Sequence, residues 1–336
     1  MPQPSHHLLI VGVGSIGLRH LRCFLASERT AISFVEPRKE VCDSILADYP
    51  TACGYASLEE ALEQGEFDGA VIATPAPMHV PQALQLLEHG LHLLIEKPLS
   101  LDLASAAALT TAAERLKSVI GVAYVYRANP LLSQMRDALL SGAYGKPLEL
   151  IAYGGQNFPT YRPAYRDTYY RDHASGGGAI QDALTHVFNA AEWLIGDMQK
   201  IVVDAEHLVL DGVDVEDTVH ALARHANGVM ANYTLNQHQA ANEMTFTIVC
   251  ERGVLRWESH LHRWRIASEP DAPWKDIQHE PLQRDELFLR QANSFLDAME
   301  GKSPPLCSLA DGVSTLRANV AAFDSWRSGV WRSTTP

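Results

Sequence analysis

HLLIVGVGSIGLRHL, residues 7–21, decides the fold. A buried-strand run, Leu8 to Val11, breaks into Gly12, Gly14 and Gly17, and a helical pattern begins at once. In such a GxGxxG turn the first glycine permits the tight bend. The second lets backbone come close to a pyrophosphate, and the third lets helix and strand pack closely. Backbone N–H groups at the helix start, Ser15 and Ile16 with Gly17, bring partial positive charge to the phosphates. Glycines also serve turns that bind nothing, so the next strand matters. That strand, AISFVE, ends in Glu36, where a carboxylate can accept hydrogen bonds from both ribose hydroxyls. A carboxylate there repels a 2′-phosphate, so the expected cofactor is NAD(H). Arg38 can neutralise such a phosphate, which keeps NADP(H) as the lesser alternative.

Outward from this turn, residues 7–124 alternate short apolar runs with amphipathic stretches. HLLIVGV, AISFVE, FDGAVIAT, LHLLIE and SVIGVAY read as strands, with helices near 15–28, 39–48, 57–64, 78–89 and 102–117. Strands without polar alternation are buried on both faces, which predicts a doubly wound α/β Rossmann domain around a parallel sheet. After Tyr124 the rhythm changes. Helices near 130–141 and 179–195 precede strand-like runs at 201–209, 217–225, 229–237, 244–250 and 253–258. Consecutive strands without intervening helices predict an antiparallel sheet. Two closing helices follow, near 284–300 and 308–327. The expected division is 1–124 for the dinucleotide domain and 125–336 for an α+β domain, whose C-terminal helices can pack back on the first.

Composition narrows the partners. A formal net charge of −13 without a basic patch argues against nucleic acid. No apolar run approaches the roughly 18 residues of a membrane span, and Leu8–Val11 is too short for a secretory signal. The five cysteines are scattered without a CxxC pair, which predicts reduced thiols in a cytoplasmic protein.

Two further strand ends carry chemistry. LHLLIEKPLS ends a buried strand at Glu96-Lys97-Pro98, and ligands of open α/β sheets lie beyond the carboxyl ends of the strands. A lysine held there can donate to a substrate oxygen, although a surface lysine is the plainer reading of Lys97 alone. Thr74, Pro75 and His79, after the strand FDGAVIA, are placed to line the dinucleotide with Glu96. His79 alone would read as a structural histidine. Downstream, SGGGAIQDALTHVFNAAEWLIGD (175–197) opens a helix with three glycines. On a helical wheel Ile180, Leu184, Val187, Phe188, Ala191, Leu194 and Ile195 form an apolar stripe, with Asp182, His186, Asn189 and Trp193 opposite. Trp193 is a poor occupant of a solvated face, so that side is expected to be covered by the cofactor-bearing cleft. The glycines are expected to let the chain approach the cofactor. A metal site needs a third ligand, and none is in sight. Residues 157–173 interleave tyrosines and arginines, of which Tyr161, Arg162 and Tyr165 are candidate substrate contacts, with Tyr126 and Arg127 as weaker ones.

The ordered set GVGSIG (12–17), ATPAPMH (73–79), EKPL (96–99), GGGAIQDALTH (176–186) and the tail 290–325 resembles the Gfo/Idh/MocA oxidoreductases over nearly the whole chain. The resemblance implies a Rossmann domain followed by an α+β domain with a large, mostly antiparallel open sheet, often used to form homodimers or homotetramers. It implies NAD(P)-dependent oxidation or reduction at a hydroxyl or ketone of a sugar, sugar acid or cyclitol. Lys97 matches the family's catalytic lysine, and Asp182 and His186 match its Asp-x-x-x-His pair. The chain departs at Asn189, where an acidic residue is common. In the implied mechanism His186 takes the hydroxyl proton, Lys97 polarises the same oxygen, and Asp182 orients substrate or lysine. Two alternatives use the same residues or fold: a redox-neutral glycosidase or lyase acting through transient oxidation, and a non-catalytic cofactor-binding regulator.

Overall fold

The computed structural model describes residues 5–283 and 285–335. The chain forms two compact bodies, one built from residues up to 128 together with 283–312, the other from 129–282 and 313 onward.

In the first body, strand and helix alternate: β1 (His6–Val11), α1 (Ser15–Ala26), β2 (Thr30–Val35), α2 (Lys39–Asp48), β3 (Cys53–Tyr55), α3 (Leu58–Gln64), β4 (Gly69–Ile72), α4 (Ala76–Glu88), β5 (His92–Ile95), α5 (Leu103–Leu116) and β6 (Ile120–Val122). The sheet order is β3-β2-β1-β4-β5-β6 with every pair parallel. Leu8, Leu9, Ile10, Ala70, Val71, Ile72, Leu93 and Ile95 are fully enclosed, as a sheet covered by helices on both faces requires. Phe24 of α1 and Phe34 of β2 pack with Phe295 of a later helix, 286–299, which also belongs to this body. The register aligns Val11 with Val35 and Ile72, Ile72 with Ile95, and Ile95 with Val122. The residues that follow those ends, Gly12, Glu36, Ala73 and Glu96, therefore leave the sheet along one edge. The short strand β3 was not anticipated: CGY carries no apolar run and is recruited by backbone pairing to β2.

The second body contains α6 (Pro130–Leu140), β7 (Pro147–Gly155), α7 (Phe158–Tyr161), α8 (Thr185–Ile195), β8 (Met198–Glu206), β9 (Thr218–His225), β10 (Met230–Asn236), β11 (Glu243–Cys250), β12 (Gly253–Glu258), β13 (Arg263–Ala267) and β14 (Lys275–Gln278). The chain then returns to the first body with α9 (Glu286–Met299) and closes with α10 (Leu309–Ser328), most of which belongs to the second, and β15 (Arg332–Ser333). The nine-stranded sheet runs β14-β13-β12-β11-β7-β10-β9-β8-β15. All pairs are antiparallel except β7–β10, which is parallel at the centre. Along β9 and β10 buried and open positions alternate, the pattern of a sheet with one covered face. Phe188 of α8 meets Tyr233 of β10 edge-on at 5.1 Å on that covered face. Among the described residues no helix is long and apolar enough to cross a membrane.

Candidate active site

The glycine turn fits a dinucleotide. Gly12 has φ +87°, and a methyl carbon there would lie 2.9 Å from Thr74 Cγ2; one on Gly17 would lie 1.9 Å from the Gly12 carbonyl oxygen. These two glycines serve the close packing of helix on strand. A methyl on Gly14 would meet nothing within 4 Å, so space is open beside the turn. Gly14 caps α1 without a side-chain hydrogen bond, and the first turn holds no acid. The N–H groups of Ser15, Ile16 and Gly17 thus open a helix without a competing carboxylate, as an anion site requires.

At the end of β2 the buried Glu36 accepts from Arg38 three times: backbone N at 3.0 Å, Nε at 2.7 Å and Nη2 at 2.9 Å. Those Arg38 bonds hold its carboxyl below the usual range. Arg38 is therefore committed to keeping Glu36 an anion. Thr74 Oγ1 donates to Gln82 Oε1 at 2.6 Å, and Pro75 caps α4 from an exposed position. The Lys97–Pro98 bond is cis, and Lys97 is half-buried.

Several residues expected to face a ligand face the chain itself. Both ring nitrogens of buried His79 lie on backbone carbonyls, Nδ1 2.9 Å from Pro98 O and Nε2 2.8 Å from Thr74 O. Burial pushes its pKa down, against the pull of those carbonyls. His79 ties two strand-end loops together and has no ring nitrogen left for a dinucleotide. Glu96 pairs through Oε1 with His20 Nε2 at 2.8 Å, and its Oε2 accepts from Lys97 N at 3.1 Å. Burial alone would raise this carboxyl; the His20 and Lys97 contacts carry it below the usual range. Glu96 therefore seats the backbone of Lys97. Arg127 is buried, donating to Leu306 O at 3.1 Å and pairing with Asp311 at 3.1 Å, which makes it a strut for the segment after α9. Tyr126 is half-buried in the turn Val125–Ala128.

In the second body the glycine-led helix starts at 179 but opens with a π-turn, Ile180–Leu184, before α8. Such turns frequently occur at functional sites. Asp182 is 4% exposed and accepts from the Tyr169 hydroxyl at 2.5 Å. His186 follows, half-buried. The expectation that one cleft covers the whole polar side is corrected here. Asn189, fully enclosed, donates to Thr315 Oγ1 of α10 at 2.9 Å. Trp193 lies under the Arg136 guanidinium, 4.8 Å from the ring centre, and its carbonyl accepts from Arg136 Nε at 3.0 Å. Elements of the same body therefore cover these two residues.

The glycines are packed tightly where they launch the helix. A methyl on Gly177 would sit 2.1 Å from Tyr170 O, and one on Gly178 would sit 2.6 Å from the Glu216 carboxylate. Buried Glu216 accepts from Ile180 N at 2.8 Å through its side chain and from Ala179 N at 2.9 Å through its backbone, and it meets His173 Nε2 at 2.5 Å. It caps the helix that carries Asp182. Sequence reading missed Glu216, because it lies 36 residues downstream of the N–H it satisfies. Tyr165 is 3% exposed, packs with Phe158 and Tyr170, and donates to Asp211 O at 2.8 Å. It builds a local core and is withdrawn as a substrate contact. Tyr161 and Arg162 are exposed. Among the described residues no group of three or more His, Cys, Asp or Glu side chains is arranged to hold a metal.

Residues 6–124 match the family profile described as "Oxidoreductase family, NAD-binding Rossmann fold", and residues 132–256 match "GFO/IDH/MocA C-terminal domain". The 1,5-anhydro-D-fructose reductase of Ensifer adhaerens is 24% identical over 274 residues, 81% of each chain. The inositol 2-dehydrogenase of Corynebacterium glutamicum (strain R) is 25% identical over 330 residues, 94% of this chain and 93% of the relative. A levoglucosan dehydrogenase solved with NADH and levoglucosan superposes with a TM-score of 0.90 at 20% identity, covering 98% of this chain and 100% of the other. At that identity the likeness is one of fold.

Proposed function

The chain belongs to the Gfo/Idh/MocA family of oxidoreductases, and on that premise we propose that it transfers hydride between NAD and a hydroxyl or ketone carbon of a sugar, sugar acid or cyclitol. The observation that carries the reading is the shared register of the strand ends, which brings the GxGxxG turn, Glu36 and Lys97 out along one edge of the parallel sheet. The named relatives act on an anhydrosugar, inositol and levoglucosan. Neither the redox-neutral nor the non-catalytic alternative has support among them.

Gly12, Gly14 and the N–H groups of Ser15, Ile16 and Gly17 hold the pyrophosphate, and Glu36 takes the ribose hydroxyls. Arg38 stabilises the Glu36 anion instead of waiting for a 2′-phosphate, which favours NAD over NADP. The nicotinamide, when bound, supplies the hydride acceptor. The protein's own part is proton and charge management. His186 takes the hydroxyl proton. Lys97 donates to the same oxygen and stabilises its developing negative charge. Asp182 orients the reacting group, with Tyr161, Arg162 and Tyr126 as outer substrate contacts.

The open sheet face supports a homodimer or homotetramer. Ile151, Asn232 and Leu222 form one row across β7, β10 and β9, and Tyr153, Thr234 and His220 form the next. Ile151, Tyr153 and Leu222, with Leu148 and Met230, are exposed apolar side chains on these strands. All five cysteines are free thiols, the state that a reducing cytoplasm maintains. The test is NADH absorbance over a panel of sugars, sugar acids and inositols. At least one should give net NADH; NAD binding without turnover on any of them, or product without NADH, contradicts the reading.

A further inference from the structure

We propose that Tyr169 is a positioning residue for Asp182, and that Gly177 lets the tyrosine turn come close enough to reach it. This rests on the assignment of Asp182 to the reacting centre. The Tyr169 hydroxyl donates to Asp182 Oδ1 at 2.5 Å, a short charge-assisted bond to a carboxylate that is almost wholly enclosed. A bond of that kind helps to fix the plane of the carboxylate.

The backbone explains how two residues so far apart along the loop meet. Tyr169–Arg171 is a single 3-10 turn, and it lies directly against the glycines. Gly178 N donates to Tyr170 O at 3.1 Å and Gly177 N to Asp172 O at 2.9 Å. A methyl on Gly177 would stand 2.1 Å from Tyr170 O and 2.6 Å from Tyr169 O. Only a residue without Cβ lets the tyrosine turn lie this close to the helix start. On the other side the Glu216 cap holds Ile180 N at 2.8 Å, so the π-turn that carries Asp182 is clamped between Glu216 and the Tyr169 turn. Tyr170 anchors the same turn from inside: it is buried against Phe158, and its hydroxyl bonds Gln237. Tyr169 itself is 40% exposed, so its ring contributes little to the core, and its hydroxyl is the part with a defined task.

The experiment compares wild type with Tyr169→Phe, Asp182→Asn, the double variant and Gly177→Ala, using NAD and the panel sugar that gives the highest rate. Tyr169→Phe should lower kcat/KM about ten- to hundredfold, the worth of a hydrogen bond to a charged group. Its NADH dissociation constant should stay at the wild-type value, and its fold should remain intact at the assay temperature. In the Asp182→Asn background the same change should cost clearly less, because the acceptor there has lost the charge that strengthens the bond. Gly177→Ala should reproduce the loss without touching either side chain. Wild-type kinetics for Tyr169→Phe, or an equal loss in both backgrounds, overturns the proposal. Asp182→Asn with undiminished turnover instead overturns the reaction-centre assignment on which it rests.

Discussion

Glu36 is the carboxylate to which the proposed function assigns cofactor choice, with Arg38 as its neighbour. With Arg38 closed onto it at 2.7 and 2.9 Å, the carboxylate is held in its charged form. Glu36→Ala should weaken NAD about tenfold, the loss of hydrogen bonds to a charged acceptor, and should free Arg38 for a 2′-phosphate. Titration with both dinucleotides reads the result as a narrowed or reversed NAD/NADP ratio; an unchanged ratio removes Glu36 from the site. Glu192 on α8 is the opposite case. Burial pushes its carboxyl up to about 7, with Ser314, Thr315 and the Met198 amide donating to it and Asp197 adding like charge. In an unfolded chain the same carboxyl titrates near ~4.3. Between those two values the folded protein keeps a proton that the unfolded chain has released, so stability falls as pH rises through that window. Glu192→Gln should remove this slope and exceed wild type above about pH 7 by up to ~3 kcal/mol. Urea unfolding at a series of pH values measures it, and parallel curves for the two proteins would refute it. Gly12, Gly17 and Glu36 were legible because local backbone geometry dictates them. His79, Glu96, Arg127 and Tyr165 were read as facing ligand, yet they turn inward. Most of their partners, His20, Leu306, Asp311 and the Asp211 carbonyl, are remote in sequence, and nothing local announces them.

At the scale of elements, apolar periodicity found five of the six strands of the first sheet and its helices to within a few residues. It missed β3, β7, β13, β14 and β15. β7 has open positions at alternate residues and ends in Gly154-Gly155; its place at the centre of the second sheet depends on pairing with β10 and β11, which a local window does not see. The helical wheel over 180–195 placed the apolar stripe correctly but assumed one uniform pitch. The π-turn at 180–184 adds a residue to the first turn, and both Asp182 and Asn189 end up enclosed. What holds that turn is the Glu216 cap. Glu216→Ala should therefore lower stability by about 1–3 kcal/mol, because it strands Ile180 N and leaves His173 without its carboxylate. Glu216→Gln, which still accepts from Ile180 N, should recover part of it. Thermal unfolding of the pair tests the cap, and an alanine variant as stable as wild type would show that the turn is held by other contacts.

For the whole molecule, two architectures share one chain: an all-parallel sheet that offers its strand ends to a dinucleotide, and an open mixed sheet with one face covered by its own helices. The uncovered face predicts self-association. Leu222→Glu, in the middle of the exposed row, should shift the species seen in sedimentation toward monomer without altering NAD binding, and an unmoved oligomer would place the contact elsewhere. Fold class and cofactor class were legible in the order of motifs, since each motif is tied to a strand end or helix start. The sugar was not, because the loop to which its contacts are assigned, 157–173, has inward and outward residues that only the folded core decides. The most direct test of the account is NADH formation by wild type and Lys97→Ala at saturating NAD and sugar. The account predicts one NADH per sugar oxidised by wild type and a fall of about 10²–10⁴-fold in the variant, with NAD still bound. Sugar consumed without NADH, or equal turnover by the two proteins, would contradict it.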